Sequence, residues 1–139
     1  MTSVTLLKLL NSITDTKHHT SVSEILFLHG LLNNAIFDNM LGTPTIKISN
    51  YCRRYWAYCQ GDIKNEKPTT LICLHDRWKS LSFLITVLGH EMIHQYQWES
   101  GVEYYRRTKS DPMDHGDTFY AFADKFDYFN IPLNEAYNK

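Results

Sequence analysis

The residues in this sequence best suited to chemistry form one pentapeptide, His90-Glu91-Met92-Ile93-His94, which is an HExxH motif. In an α-helix, side chains four positions apart lie on the same face, so two imidazoles at this spacing can bind one metal ion. A glutamate between them lies beside the metal, where it can act as a general base. The motif therefore predicts a zinc hydrolase.

The residues around the motif have the pattern of an amphipathic helix, from Ser80 to about Ser100. Within it, Gly89 predicts a close contact with another backbone, and Gly101 after it predicts a C-cap. We expect this helix to bury one side and to present the two histidines on the other. The apolar stripe opposite the histidines consists of Leu81, Leu84, Ile85, Leu88, Met92 and Tyr96.

A catalytic zinc ion usually takes three protein ligands and leaves one position for water, so a third ligand is needed. His115 is the best candidate, because it follows a loop after the motif and comes just before the last helical pattern. The metzincin extension is absent, since Gln97 and Ser100 stand where that pattern needs Gly and His. The carboxylates that remain as alternatives are Glu103, Asp114 and Asp117.

A second motif, HGxxF, follows downstream as His115-Gly116-Asp117-Thr118-Phe119. Together the two motifs resemble the SprT-like metalloproteases, whose eukaryotic members include the Spartan proteases that act on DNA–protein crosslinks. The order of the upstream elements is also similar, including the helical segment 34–41 and the strand 71–74, so that the resemblance covers about residues 20–130. It implies a zincin-like domain that binds Zn²⁺ through His90, His94 and His115.

The reaction predicted for such a site is hydrolysis of peptide bonds in a protein or peptide substrate. Glu91 would take a proton from water and deliver it to the leaving amine. The resemblance implies substrates bound or crosslinked to DNA, with DNA as a cofactor or scaffold. Many family members carry a C-terminal zinc ribbon or another DNA-binding extension, and no paired-cysteine motif follows the last predicted helix here.

The alternative from another functional class is a non-catalytic, zinc-stabilised module that binds protein or DNA. A structural zinc site usually has a fourth protein ligand and has no use for Glu91 as a base. The glutamate therefore favours the enzyme.

The composition favours one soluble globular domain of 139 residues, with 43% hydrophobic residues and a formal net charge of −1. This balance gives no general attraction to nucleic acid. Two local basic clusters, Arg53-Arg54 and Arg106-Arg107 with Lys109, are expected to be surface, and the second is expected near the cleft. Cysteines without CxxC spacing predict free buried thiols. They are Cys52, Cys59 and Cys73.

The N-terminal apolar stretch is interrupted by Lys8 and is too short to span a bilayer. No export signal is evident, and no membrane partner is expected. We therefore expect a cytoplasmic or nucleoid-associated protein, and the short form is compatible with a bacterial or phage source.

The pattern of elements predicts an α+β, zincin-like fold, in which a small antiparallel or mixed three-stranded sheet packs on the HExxH helix between N-terminal and C-terminal helices. Residues 1–20 are expected to form a helix ending near Ile13 and a polar connector, and residues 21–139 the SprT-like domain. A helix is expected from an N-cap at Ser23 to about Met40. Strands are predicted at 45–49, 51–60 and 69–74, with a turn at 61–68, and a last helix at 117–130.

Other residues are expected to support the site. An edge strand of the sheet should pair with an extended substrate. A phenylalanine stripe that packs in the core and fixes His115 consists of Phe119, Phe122, Phe126 and Phe129. Carboxylates that could orient the imidazoles are Asp76, Asp111, Asp114 and Asp117. Candidate donors to the developing oxyanion are Tyr96, Tyr104, Tyr105 and His75. Aromatic residues expected to be core or sheet surface are Tyr55, Trp56 and Tyr58.

Overall fold

The computed structural model describes residues 2–14, 16–50 and 55–134. They contain four α-helices and a small mixed three-stranded sheet, so the fold class is α+β. The predictions for Cys52, Arg53 and Arg54 lie outside the described residues. Within these ranges, no helix is both long and apolar enough to cross a membrane.

The first helix, α1, spans Thr2–Ser12 and ends one residue before the predicted position. Its Leu6 is fully buried in the core, beside residues of the second helix. The segment expected to be a polar connector contains a short strand, β1 (His18–His19). Sequence patterns cannot reveal a two-residue strand, because its pairing partner lies far along the chain.

The second helix, α2, spans Val22–Phe37, and its N-cap is Ser21 rather than the predicted Ser23. Ser21 is extended, and its side chain accepts a hydrogen bond from the backbone N–H of Glu24. The helix ends before the predicted Met40, because Asp38 adopts the left-handed conformation.

The main sheet contains β2 (Thr45–Ile48), β3 (Ala57–Lys64) and β4 (Lys67–Leu74), in the order β2-β4-β3. β2 runs parallel to the central strand β4, and β3 runs antiparallel to it, so the sheet is mixed. The predicted turn at 61–68 contains the actual reversal but is too long, because the strands extend to Lys64 and from Lys67. The chain reverses in two residues, Asn65-Glu66, both with positive φ, as a tight hairpin turn requires.

A short strand, β5 (Arg77–Trp78), separates the sheet from the motif helix and pairs antiparallel with β1. The motif helix, α3, then spans Leu81–Thr108, with Ser80 as its N-cap and Lys109 as its left-handed C-cap. The predicted C-cap at Gly101 is wrong, because the helix continues through it. A Cβ at Gly101 would lie 2.6 Å from Cβ of Pro112, so the missing side chain makes room for the following loop.

The C-terminal segment predicted as one helix consists of a 3₁₀ turn, Phe119–Phe122, followed by α4 (Ala123–Tyr128). Phe119, Phe126 and Phe129 are buried and Phe122 packs against them, which confirms the phenylalanine stripe as core. The close contact predicted for Gly89 exists, but its partner is a side chain. A Cβ at Gly89 would lie 3.0 Å from the ring of Phe126.

The core lies between α2, the sheet, α3 and the C-terminal segment. Of the stripe predicted on α3, Leu84, Ile85, Leu88 and Met92 are buried, while Leu81 and Tyr96 are half-buried at its two ends. The helix therefore buries the side opposite the motif histidines, as its periodicity predicts.

Candidate metal centre

Three histidines come together on the surface of α3 that faces the C-terminal segment. One nitrogen of each of His90, His94 and His115 lies within 4.8 Å of the others. The ring centroids are 4.9 Å apart for His90 and His94, 5.5 Å for His90 and His115, and 5.1 Å for His94 and His115. Three imidazoles at these separations can hold one metal ion.

The carboxylates considered as alternative ligands do not belong to this group. Glu103 forms an ion pair with Arg106, at 3.3 Å, one helical turn along α3. Asp114 accepts a hydrogen bond from the backbone N–H of Gly116. Among the described residues the group consists of the three histidines, with no carboxylate in it.

A phenyl ring lies against all three histidines. The ring centroid of Phe119 is 5.1 Å from that of His90, 5.6 Å from that of His94 and 4.7 Å from that of His115. Phe119 is fully buried, so it anchors the start of the C-terminal segment in the core directly beside the cluster. This contact explains how His115, in an exposed turn, is held close to α3.

Two hydrogen bonds orient the motif histidines. Nδ1 of His90 lies 2.8 Å from the main-chain oxygen of Asn134, and Nδ1 of His94 lies 2.8 Å from Oε1 of Gln97. Both oxygens can only accept, so each Nδ1 carries the proton and each Nε2 keeps a lone pair for a metal.

These two acceptors are a peptide carbonyl and an amide, not the carboxylates that the sequence suggested. Asp76 instead accepts a hydrogen bond from Asn50, at 2.7 Å, outside the cluster. The charges of Asp111 and Asp114 favour a higher pKa for His94, but burial has the larger effect and lowers it. No sequence signal could have identified Asn134, because a main-chain acceptor leaves no mark on residue type.

Burial has opposite effects on the histidines and on the glutamate of the motif. It lowers the pKa of His90 to about 4, helped by the neighbouring histidines, and it also lowers the pKa of His94. Burial raises the pKa of Glu91 to about 8. Both histidines are thus neutral near pH 7, which is the form that binds a metal.

The three histidines and Glu91 open onto one cleft of about 390 Å³. One wall is β3 together with Tyr55, two residues before the strand, the floor is α3, and the other wall is the loop after α3. The lining residues are Tyr55, Ala57, Tyr58, Cys59, Val87, His90, Glu91, His94, Asp111, Met113 and His115.

The residues suggested as oxyanion donors do not line this cleft. The ring of Tyr96 packs on Phe122, and the ring of Tyr105 packs on Trp98. The exposed tyrosines Tyr55 and Tyr58 line it instead. Sequence reasoning placed both in the core or on the sheet surface, because the strand pattern does not say which face of a sheet borders a site.

The basic residues after the motif lie elsewhere. Arg106 donates a hydrogen bond to the main-chain oxygen of Glu66 in the β3–β4 turn, and Nζ of Lys109 lies 5.7 Å from the ring centroid of Tyr105. Of the described residues that line the cleft, none is arginine or lysine. This cluster therefore does not line the cleft, although Asp111, two residues after Lys109, does.

The two described cysteines, Cys59 and Cys73, are free thiols in strands, as predicted. Cys59 faces the cleft, and burial raises the pKa of its thiol.

Comparison of the chain with known protein families, with curated proteins and with solved structures gave no significant match.

Proposed function

We propose that this protein is a zinc-dependent endopeptidase of the SprT-like type, with a zincin-like catalytic domain. The observation that carries the proposal is the convergence of His90, His94 and His115 beside the buried carboxyl of Glu91 in one open cleft. Zincin chemistry needs this combination of residue types in this arrangement.

The donor set fits zinc and leaves room for a reaction. Imidazole nitrogen is a preferred zinc ligand, and a catalytic site takes three protein ligands where a structural site takes four. The described residues supply three ligands to this group. That number supports an enzyme over a binding module.

When bound, the zinc ion supplies a Lewis acid that lowers the pKa of water and polarises a carbonyl. Glu91 serves as the base that accepts a proton from water and then returns it to the leaving amine. Its pKa of about 8 in the metal-free protein would fall when a cation is bound nearby, because a positive charge favours the carboxylate.

The cleft also offers a place for an extended peptide. β3 is the terminal strand in the sheet order, and Ala57, Tyr58 and Cys59 on it border the cleft. An extended substrate can add to such an edge through main-chain hydrogen bonds. We propose β3 as the strand that binds the substrate backbone.

Zinc content and proteolysis, measured together, test the proposal. We expect wild type to bind one zinc ion per chain and to cleave an unfolded protein. Glu91→Gln should keep zinc and lose activity by at least about 100-fold, as expected for loss of a general base. His115→Ala should lose both. Matched controls are His19→Ala and Glu103→Gln, which remove the same side-chain types at exposed positions outside the cleft.

Other outcomes would separate the alternatives. Stoichiometric zinc binding without cleavage of any substrate would favour the zinc-stabilised binding module. A wild type that binds no zinc would make the motif a coincidence. If single-stranded DNA increases the cleavage rate, and if added salt abolishes this increase, the result would support substrates bound or crosslinked to DNA.

A further inference from the structure

Gln97 lies one helical turn after His94, and both the oxygen and the nitrogen of its side-chain amide form hydrogen bonds. The residue is only 2% exposed. Its Oε1 lies 2.8 Å from Nδ1 of His94. Its Nε2 donates to the main-chain oxygen of Asp114, at 2.9 Å, and to Oγ1 of Thr118, also at 2.9 Å.

The direction of this amide follows from its partners. The main-chain oxygen of Asp114 can only accept, so the atom that faces it must be the amide nitrogen. A flipped amide would place two oxygens against each other there. Oε1 therefore faces His94 and must accept the proton of Nδ1, which leaves Nε2 of His94 free to bind a metal.

The other side of the amide holds the segment that carries the third histidine. Asp114 and Thr118 flank His115 in the sequence, and Gln97 bonds to both. The turn between them is closed by two further hydrogen bonds, from Gly116 N–H to Oδ1 of Asp114 and from Phe119 N–H to the oxygen of Gly116. Without Gln97, this exposed turn would lose these two hydrogen bonds to α3.

We propose that Gln97 is a positioning residue that fixes two metal ligands at once, the tautomer of His94 and the turn that carries His115. This inference rests on the metal site of the proposed function. An amide suits the position because it offers one acceptor and two donors. A carboxylate would keep the acceptor for His94 but would face the carbonyl of Asp114 and its carboxylate, whose Oδ1 lies 3.4 Å away.

A second glutamine on the same helix provides a matched control. Gln95 is fully buried and bonds to Nε2 of His29 at 2.8 Å, to the main-chain oxygen of Gly42 at 2.7 Å and to Glu99 at 2.7 Å. These bonds link α3 to α2 and to the loop before β2, and none of them reaches a metal ligand. Gln95→Met therefore removes a buried amide network of similar size without touching the cluster.

Zinc affinity of the full chain, measured by competition with a chelator of known affinity, tests the proposal. Removing a partner that orients a metal-bound imidazole typically weakens metal binding by about 10- to 100-fold. We expect a loss in this range for Gln97→Met, and a change of less than about 3-fold for Gln95→Met. Both variants are first checked for native circular dichroism, since both lose buried hydrogen bonds.

Two readouts on the metal-free protein do not depend on zinc. The imidazole ¹⁵N shifts should show the Nδ1–H tautomer of His94 in wild type, Gln95→Met and Gln97→Glu, and a mixture of tautomers in Gln97→Met. Amide exchange at Gly116 and Phe119 should be faster in Gln97→Glu than in wild type, because the donors to the turn are gone. The Gln97→Glu readouts stand even if Gln97→Met does not fold.

Equal zinc affinity in Gln97→Met and wild type would overturn the proposal, as would an equal loss in both methionine variants. Unchanged amide exchange in Gln97→Glu would overturn the link to the His115 turn. A wild type that binds no zinc contradicts the proposed function itself, and the tautomer and exchange measurements still report on Gln97.

Discussion

At the candidate site, burial changes the pKa values of individual side chains more than neighbouring charges do. The pKa of Glu91 is raised by burial, and the pKa values of His90 and His94 are lowered mainly by burial. The hydrogen bonds from their Nδ1 atoms go to neutral acceptors, Asn134 and Gln97. His90 and His94 are therefore neutral near pH 7, and neither of these two ligands would oppose a dication with a positive charge of its own.

A titratable residue away from the cluster makes stability depend on pH. Burial lowers the pKa of His29, and its hydrogen bond to Gln95 and the charge of Glu99 offset this only in part. The unfolded chain takes up a proton at His29 near pH 6.5, whereas the folded chain takes it up only at lower pH. The stability that the neutral imidazole contributes is therefore fully present above about pH 6.5 and is lost as the pH falls below that value.

We predict that wild type loses more free energy of unfolding than His29→Gln between pH 7.5 and 5.5. One proton taken up only by the unfolded state accounts for at most about 1.4 kcal/mol over that interval. Urea unfolding of both metal-free proteins at the two pH values measures the difference. Identical losses in the two proteins would contradict the assignment of this pH dependence to His29.

At the scale of elements, the cleft exists because β3 lies very close to α3. A Cβ at Gly61 would lie 2.2 Å from Cδ2 of Trp98, and the indole N–H of Trp98 donates to the oxygen of Asp62 at 3.1 Å. The buried indole thus packs against the backbone of β3 at Gly61 and Asp62. This contact fixes the distance between the wall and the floor of the cleft.

We predict that Gly61→Ala lowers the free energy of unfolding by about 1–3 kcal/mol, because the methyl group must displace a buried ring. The matched control is Gly30→Ala, on α2, where a Cβ would meet no atom within 4 Å. That change should stabilise the protein by up to about 1 kcal/mol, since alanine is the better helix former. Chemical denaturation measures both. If Gly61→Ala and Gly30→Ala changed the free energy of unfolding equally, β3 would be able to move away from α3 and the prediction would fail.

The elements that sequence patterns predict well are those with several turns or strand repeats. The start of the motif helix, the end of α1 and the phenylalanine stripe follow from periodicity over many residues, whereas the motif helix continues beyond its predicted end at Ser100. The predicted β3–β4 turn is too long because Glu66 adopts positive φ, a conformation that favours Gly or Asn, so residue types do not mark the two-residue turn. The two-residue pairing of β1 with β5 and the parallel position of β2 depend on distant residues, which local patterns do not report.

In the candidate site, too, sequence patterns predict some residues and miss others. His90, Glu91 and His94 follow from helical spacing, and His115 follows from a downstream motif, and the structure brings the histidines together. The groups that orient them were missed. In the sequence, Gln97 stands out only as a departure from the metzincin pattern, which gives no sign that it bonds to His94. No spacing rule marks the tyrosines that line the cleft.

For the molecule as a whole, the core and the metal centre are largely separate. The buried core joins α1, α2, the sheet, α3 and the C-terminal segment, with Leu6, Ile36, Ile72, Leu88 and Phe126 fully buried in it. The three histidines lie at the edge of this core and meet it through Phe119. The hydrophobic core is therefore built from side chains that are not metal ligands.

Metal removal distinguishes this arrangement from a structural zinc site. Because the core consists of apolar side chains and includes none of the three histidines, we predict that the metal-free chain keeps native circular dichroism and unfolds cooperatively. Zinc at about 100 times its dissociation constant should then raise the free energy of unfolding by about 2.7 kcal/mol, reversibly with a chelator. His115→Ala should gain much less at the same zinc concentration, whereas His19→Ala should gain as much as wild type. A metal-free chain that is unfolded would instead assign the zinc a structural role, since small zinc modules fold only with their metal.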